Sequence, residues 1–173
     1  MDFQKVKPEN PALIQEIFSA YSKTFPEEER RDEAQFSAIL QNEDAAVFSI
    51  RENSENIGYI VVWKFFGFNF IEHFEIYEKF RSKGFGSKIL AKISDIFPKI
   101  ILESEPSHLN KIAENRIKFY EKNGFKIIEE NYLQPSYRLD NQKVPLFLMA
   151  NFSAENLDEI KDEIFRTVYS KTT

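Results

Sequence analysis

The chain has no cysteine among its 173 residues, which excludes a disulfide framework, a thiol nucleophile and a cysteine-ligated metal. Its only histidines are His73 and His108. A zinc site would therefore have to lean on carboxylates, and no metal is expected. No apolar run is long enough to span a bilayer, so no membrane partner is expected. The first residues, Met1-Asp2-Phe3-Gln4-Lys5, lack the basic and apolar regions of a signal peptide, and the expected compartment is the cytoplasm. Positive charge is not in excess either. The formal net charge of −5 argues against nucleic acid as a partner. It is compatible with a cationic substrate, though a mildly acidic surface is also ordinary. No internal repeat, low-complexity run or linker interrupts the chain.

What is present is a folding composition. Hydrophobic residues make up 42% and charged residues 29%, as in globular proteins. At this length one domain covering residues 1–173 is expected, with a core that needs no staples. Eighteen phenylalanines and seven tyrosines predict a core filled by rings.

Apolar spacing predicts helices over Pro11–Lys23, Glu28–Gln41, Ser87–Phe97, from Ser107 to Asn123 and over Ser153–Tyr169. Ser107 is the expected N-cap of the fourth. Leu109, Ile112, Ala113, Arg116 and Tyr120 share a face of that helix. The cluster from Glu27 to Glu33 is mixed in sign and reads as a solvated helix start. Strands are predicted over Phe3–Val6, Asp44–Arg51, Ile57–Phe66, Phe68–Ile76, Ile100–Leu102, Phe125–Ile128 and Val144–Ala150, with Asn131–Gln142 as turn. The second to fourth strands read as an antiparallel meander. The helix that follows implies a parallel neighbour for the fourth. Trp63 and the phenylalanines at 65–70 read as core or pocket wall, and His73 and His108 as structural.

The segment from Phe68 to Phe125 concentrates the chemistry. At its centre, Arg81-Ser82-Lys83-Gly84-Phe85-Gly86-Ser87-Lys88 lies between a strand and a helix. Two glycines one residue apart leave the backbone bare. The first helical turn adds unpaired N–H groups and about half a positive charge, and Arg81 and Lys83 add full charges. Such a turn suits phosphate. It is not a Walker A loop, which needs a glycine, four residues, then Gly-Lys-Ser/Thr; here Ser87 stands between Gly86 and Lys88. A dinucleotide fingerprint needs a third glycine where this chain has Ile89.

Further on, Phe119-Tyr120-Glu121-Lys122-Asn123-Gly124-Phe125 ends a helix and restarts a strand. Together, Arg-x-x-Gly-x-Gly and Phe-Tyr-Glu-Lys-x-Gly-Phe resemble the GNAT superfamily of N-acetyltransferases, and the order of elements matches over most of the chain. The resemblance implies an α/β (α+β) fold: a mixed, mostly antiparallel sheet of about seven strands, helices on both faces and a C-terminal helix. One departure is Ala113, where many members carry the asparagine that helps to fix the pantetheine arm; Asn110 and Asn115 stand near it, out of register.

The resemblance also implies acetyl-coenzyme A as co-substrate. Its pyrophosphate would sit on the N–H groups of Lys83, Phe85, Gly86 and Ser87 beside Gly84, with charge from Arg81 or Lys83. Its pantetheine would run beside Phe74–Ile76 where the fourth and fifth strands splay, and the N–H near Ile76 would face the thioester carbonyl. A small-molecule or peptide amine would be the acceptor, and the protein a monomer or homodimer. The early helices would wall the acceptor pocket.

An amine with a pKa near 10.4 is neutral in roughly one molecule in 2,500 at pH 7, so a base or a pKa-lowering site is needed. Glu72, Glu75, Glu103 and Glu105 are the acidic residues near the expected cleft. In a regular strand Glu72 and Glu75 point to opposite faces, although a bulge would alter that. Glu72, amid apolar neighbours, is the preferred base. Glu103 and Glu105, just past a strand end, are expected to hold a cationic substrate or to replace it as base. Tyr120 is the expected general acid toward the leaving thiolate. The reading from a different class is a coenzyme A or acyl-coenzyme A binding module without turnover.

Overall fold

The computed structural model describes residues 1–138 and 142–169. In chain order the elements are β1 (Asp2–Lys5), α1 (Pro11–Thr24), a single 3-10 turn (Glu27–Glu29), α2 (Glu33–Ile39), β2 (Ala45–Glu52), β3 (Glu55–Lys64), β4 (Asn69–Ile76), a second 3-10 turn (Glu78–Phe80), α3 (Phe85–Ile96), β5 (Ile100–Ser104), α4 (Lys111–Lys122), β6 (Lys126–Pro135), β7 (Lys143–Ala150) and α5 (Leu157–Val168). The strands form one seven-stranded sheet in the order β1-β2-β3-β4-β5-β7-β6. Only β4 and β5 pair in parallel; the other pairs are antiparallel. This is the mixed, mostly antiparallel sheet the sequence predicted.

Helices cover both faces. Leu13, Ile17 and Tyr21 of α1, Phe36 and Ile39 of α2, and Ile164 and Val168 of α5 pack on one side. Ile89, Leu90 and Ile93 of α3 and Ile117 and Tyr120 of α4 pack on the other. None of the described helices is long and apolar enough to cross a membrane.

Two irregularities make the site. First, β4 and β5 pair only through Asn69–Ile71 and Ile100–Leu102. Beyond these, β4 continues to Ile76 on β3 alone, and Glu103 and Ser104 of β5 pair with β7. The two strands therefore part. Second, Val61 pairs with His73 while Val62 pairs with Ile71, so Glu72 is the extra residue of a bulge. A bulge shifts the side-chain alternation by one. It sends Glu72 to Arg31, His73 to Tyr21 and Phe25, and Glu75 to Thr24, all toward α1 and the segment after it.

Several boundaries differ from expectation, each for a local reason. The second helix begins at Glu33, because Asp32 caps it with a box closed by Gln35. The third begins at Phe85, because Gly84 precedes it in the left-handed region (φ 77°). The fourth is capped by Asn110, which accepts from the Ala113 N–H at 2.8 Å, and not by Ser107; Leu109 and Ile112 are consequently exposed. The sixth strand runs on to Pro135, because two register shifts against β7 absorb the polar residues after Ile127. The first five residues of the expected turn Asn131–Gln142 are thus strand, and its residues 139–141 lie outside the described residues. Phe66, read as core or wall, is fully exposed at the β3–β4 turn.

Candidate active site

The parted strands open between two structures that the local sequence dictates. At one end is the first turn of α3. The N–H groups of its first residues, Phe85, Gly86 and Ser87, have no intrahelical partner, and they lie at the positive end of the helix dipole. Gly86 has a further reason to be glycine: a Cβ there would sit 2.9 Å from two ring atoms of Phe119. Its bareness lets α4 close onto the start of α3. Lys83 hovers 5.6 Å from the Phe80 ring and Lys88 6.0 Å from that of Phe85, so two cations stand at the turn. Arg81 is turned elsewhere. Its Nε donates to the Ile76 carbonyl at 2.7 Å and its Nη2 to Glu75 at 3.3 Å, which braces the end of β4. Phe74 and Ile76 pair with Ile60 and Gly58 of β3, and their other edge, toward β5, carries no strand partner.

At the other end are the residues around the point of parting. Tyr120 is buried in the same apolar cluster as Ile71 and Leu102, the last residues that β4 and β5 pair. Its ring lies 5.3 Å from that of Phe119 and 5.8 Å from that of Phe125. Burial raises its pKa and keeps it protonated.

Glu103 leaves β5 on the opposite face, one residue past the last parallel pair. Tyr132 donates to one of its oxygens and Tyr169 donates to the other at 2.6 Å. Burial, aided by the charges of Glu72 and Glu29, pushes its pKa up to about 8 even against these two hydrogen bonds. Glu105 is ion-paired with Arg116 at 2.6 Å. Glu29 stands near that pair; burial and the charges of Glu105 and Glu28 raise its pKa, and Arg116 lowers it.

Glu72 has a different environment. Arg31 Nε and the Tyr137 hydroxyl both donate to its Oε1 at 2.8 Å, and Trp63 Nε1 donates to Oε2 at 2.5 Å. Burial pushes its pKa up, but Arg31, His73 and the hydrogen bonds outweigh this and hold it below the usual carboxylate range. A carboxylate so held has little capacity to take a proton. Burial lowers the pKa of His73 while Glu72 raises it, and its Nε2 donates to the Glu29 carbonyl at 3.1 Å.

The fold therefore sets the phosphate-type turn, Phe74 and Ile76 along the unpaired edge of β4, Tyr120 and Glu103 on opposite faces where β4 and β5 part, and Glu105 against Arg116. Glu72 is the hub of a buried network, and Arg81 braces the β4 end. Sequence reasoning missed Arg31, Tyr132, Tyr137 and Tyr169 as partners of Glu72 and Glu103, and read Trp63 only as core or pocket wall. Arg31 lay inside a charge run that read as solvated, Tyr132 and Tyr137 in an expected turn, and only tertiary contacts give them partners.

The fold and the sequence are similar to those of known proteins. The family model described as Acetyltransferase (GNAT) family matches residues 11–125. The chain is 28% identical over 110 residues to YjbC, a candidate acetyltransferase of Bacillus subtilis (strain 168); the match takes in 63% of this chain and 56% of that one. Its structure resembles that of a candidate GNAT-family acetyltransferase from Bacteroides thetaiotaomicron (TM-score 0.92, 24% identity, 99% of this chain and 100% of that one). It also resembles an aminoglycoside 6'-N-acetyltransferase in complex with coenzyme A (TM-score 0.63, 16% identity, 90% and 100%). The chain belongs to the acetyltransferase (GNAT) family.

Proposed function

We propose that the protein transfers an acetyl group from acetyl-coenzyme A to a primary amine, with Tyr120 as general acid and Glu103 as general base. The observation that carries this reading is the parting of β4 and β5 just past Ile71 and Leu102, with Glu103 on one face of the gap and Tyr120 on the other. The pyrophosphate lies on the N–H groups of Phe85, Gly86 and Ser87, with Lys83 and Lys88 supplying charge. The pantetheine takes the unpaired edge of β4 along Phe74–Ile76.

The amine nitrogen attacks the thioester carbonyl carbon and gives its proton to Glu103, directly or through water. The C–S bond then breaks and the Tyr120 hydroxyl protonates the sulfur. The products are the N-acetylated amine and coenzyme A with a free thiol. A base works best with a pKa near the operating pH, and Glu103, at about 8, meets that condition. Glu72, the base preferred from sequence, is held charged by three donors and is assigned here to structure. Glu29 and Glu105, close enough for the charge of the second to raise the pKa of the first, would attract a cationic acceptor.

The test is thiol release from acetyl-coenzyme A with spermidine, kanamycin and an alanine-ended peptide as acceptors, for the wild type, Tyr120→Phe and Glu103→Gln. Release with one amine class, cut about 10²-fold or more in both variants, supports the reading. Coenzyme binding without release would mark a binding module instead.

A further inference from the structure

The segment Phe25–Asp32 joins α1 to α2 and reaches across the parted strands. On the β4 side, His73 donates to the Glu29 carbonyl and Arg31 Nε donates to Glu72. On the β5 side, the Glu29 carboxylate stands near enough to Glu105 and Arg116 to respond to both charges. The segment thus lies as a roof on the α1 side of the parted strands, held to β4 by two hydrogen bonds, with Glu29 toward Glu105 and Arg116.

One residue of that roof is tied down far more than the others. Arg31 is 8% exposed. Its Nη2 donates to the Val168 carbonyl at the end of α5 at 2.7 Å, and its backbone N–H donates to the Tyr21 hydroxyl of α1 at 2.8 Å. Its guanidinium lies 4.8 Å from the Tyr137 ring centre and 5.5 Å from that of Trp63. Side chain and backbone together connect the roof to β3, β4, α1, α5 and the chain just past β6. A buried ion pair of this kind is poor value as a stabiliser, because apolar side chains of similar volume often do as well or better. It is directional, however: a planar fork fixes both angle and distance to its partners.

We propose that Arg31 is the positioning residue of the acceptor site: through its salt bridge to Glu72 it sets the height of the 25–32 roof above Glu103, and so the place of the acceptor amine. This rests on the acetyl-transfer reading given above. Lysine in its place reaches one partner at a time, and methionine fills the space without direction.

The experiment compares the wild type, Arg31→Lys, Arg31→Met and the double variant Arg31→Met with Glu72→Gln. The glutamine leaves no buried charge and keeps an acceptor for Trp63. Steady-state constants are measured with acetyl-coenzyme A and spermidine, then kanamycin or the alanine-ended peptide if spermidine is not acetylated, alongside melting temperature and hydrogen exchange. The expected result is a tenfold or greater rise in acceptor KM for Arg31→Met and for the double variant. KM for acetyl-coenzyme A stays within twofold, the double variant melts near the wild type, and Arg31→Lys falls between. A double variant with wild-type acceptor KM overturns the proposal, as does a parallel rise in both KM values. If the wild type acetylates none of the three amines, the transfer reading fails, and exchange then decides the roof. Faster exchange confined to residues 25–32 in a double variant that melts normally supports the tether; unchanged exchange there overturns it.

Discussion

On the side of α3 and α4 the sheet is covered mainly by isoleucine, leucine, valine and phenylalanine, with Tyr120 among them. On the side of α1, α2 and α5 the core holds Tyr21, Tyr59, Tyr132, Tyr137, Tyr169 and Trp63, together with the buried charges of Arg31 and Glu72. Apolar burial contributes about 25 cal/mol per Å² without regard to direction, so the first face sets a volume. A buried carboxylate is tolerable only where donors meet it, so the second face sets positions. In this molecule the α3–α4 face supports the helix end that suits an invariable phosphate. The α1–α2–α5 face holds the residues proposed to take the amine's proton and to place the acceptor, while Tyr120, the proposed acid, lies on the first face.

The largest test of that contrast is on stability. Glu72→Ala leaves Arg31 charged and unpaired, which costs about 3–5 kcal/mol and lowers the melting temperature by roughly 10 °C or more. Pairing it with Arg31→Met is expected to restore most of the loss. On the other face Ile93→Ala costs about 2–5 kcal/mol, and no second substitution of charge rescues it. Equal behaviour of the two faces in calorimetry would break the comparison. Tyr120→Phe comes next, with kcat down about 10²-fold and melting temperature unchanged, because the lost hydroxyl has no partner in the apolar cluster.

Gly86→Ala follows. Its methyl meets the Phe119 ring at 2.9 Å, and overpacking of this kind costs about 1–3 kcal/mol; coenzyme A affinity, read by calorimetric titration, falls with it if the helix start shifts. The pH response is subtler and has opposite signs within one face. Glu103, raised from an ordinary 4.5 to about 8, contributes stability that is complete below its ordinary value and is lost as pH rises through 8. Glu72, lowered, contributes stability that is lost as pH falls through its folded value. Glu103→Gln is therefore expected to flatten the stability curve between the ordinary 4.5 and about 8 and to leave the loss at lower pH alone. The smallest effect is Asn110→Ala, which removes the α4 cap for about 1 kcal/mol in chemical denaturation.

Where periodicity was strong, the chain was readable. The meander β2-β3-β4, the crossover through α3 and the return of α4 to β6 all follow from apolar spacing and glycine stops. Tyr120 was accessible because it sits in a helix-end pattern with Gly124 four residues on. Glu72 was readable as a base or as a salt-bridged strand glutamate, but its partner was not. Its partner Arg31 lies 41 residues away in a run of alternating charge, and sequence spacing says nothing about a contact made across a sheet. The same holds for Glu103, whose raised pKa depends on burial and on tyrosines from the sixth strand and the last helix. A one-residue bulge at Glu72 also redirected Glu75, because strand alternation has a period of two and any insertion inverts it.

By itself the sequence determined the elements, their order, the bare turn at Gly84–Gly86 and the family, since each rests on local backbone preference or on short motifs. Only the tertiary structure decided where β4 and β5 part and which partners meet Glu72 and Glu103. It also decided that an arginine in a charged run is buried. Those outcomes depend on desolvation and on donors from distant segments, and both quantities come into being only when the faces of the sheet are covered.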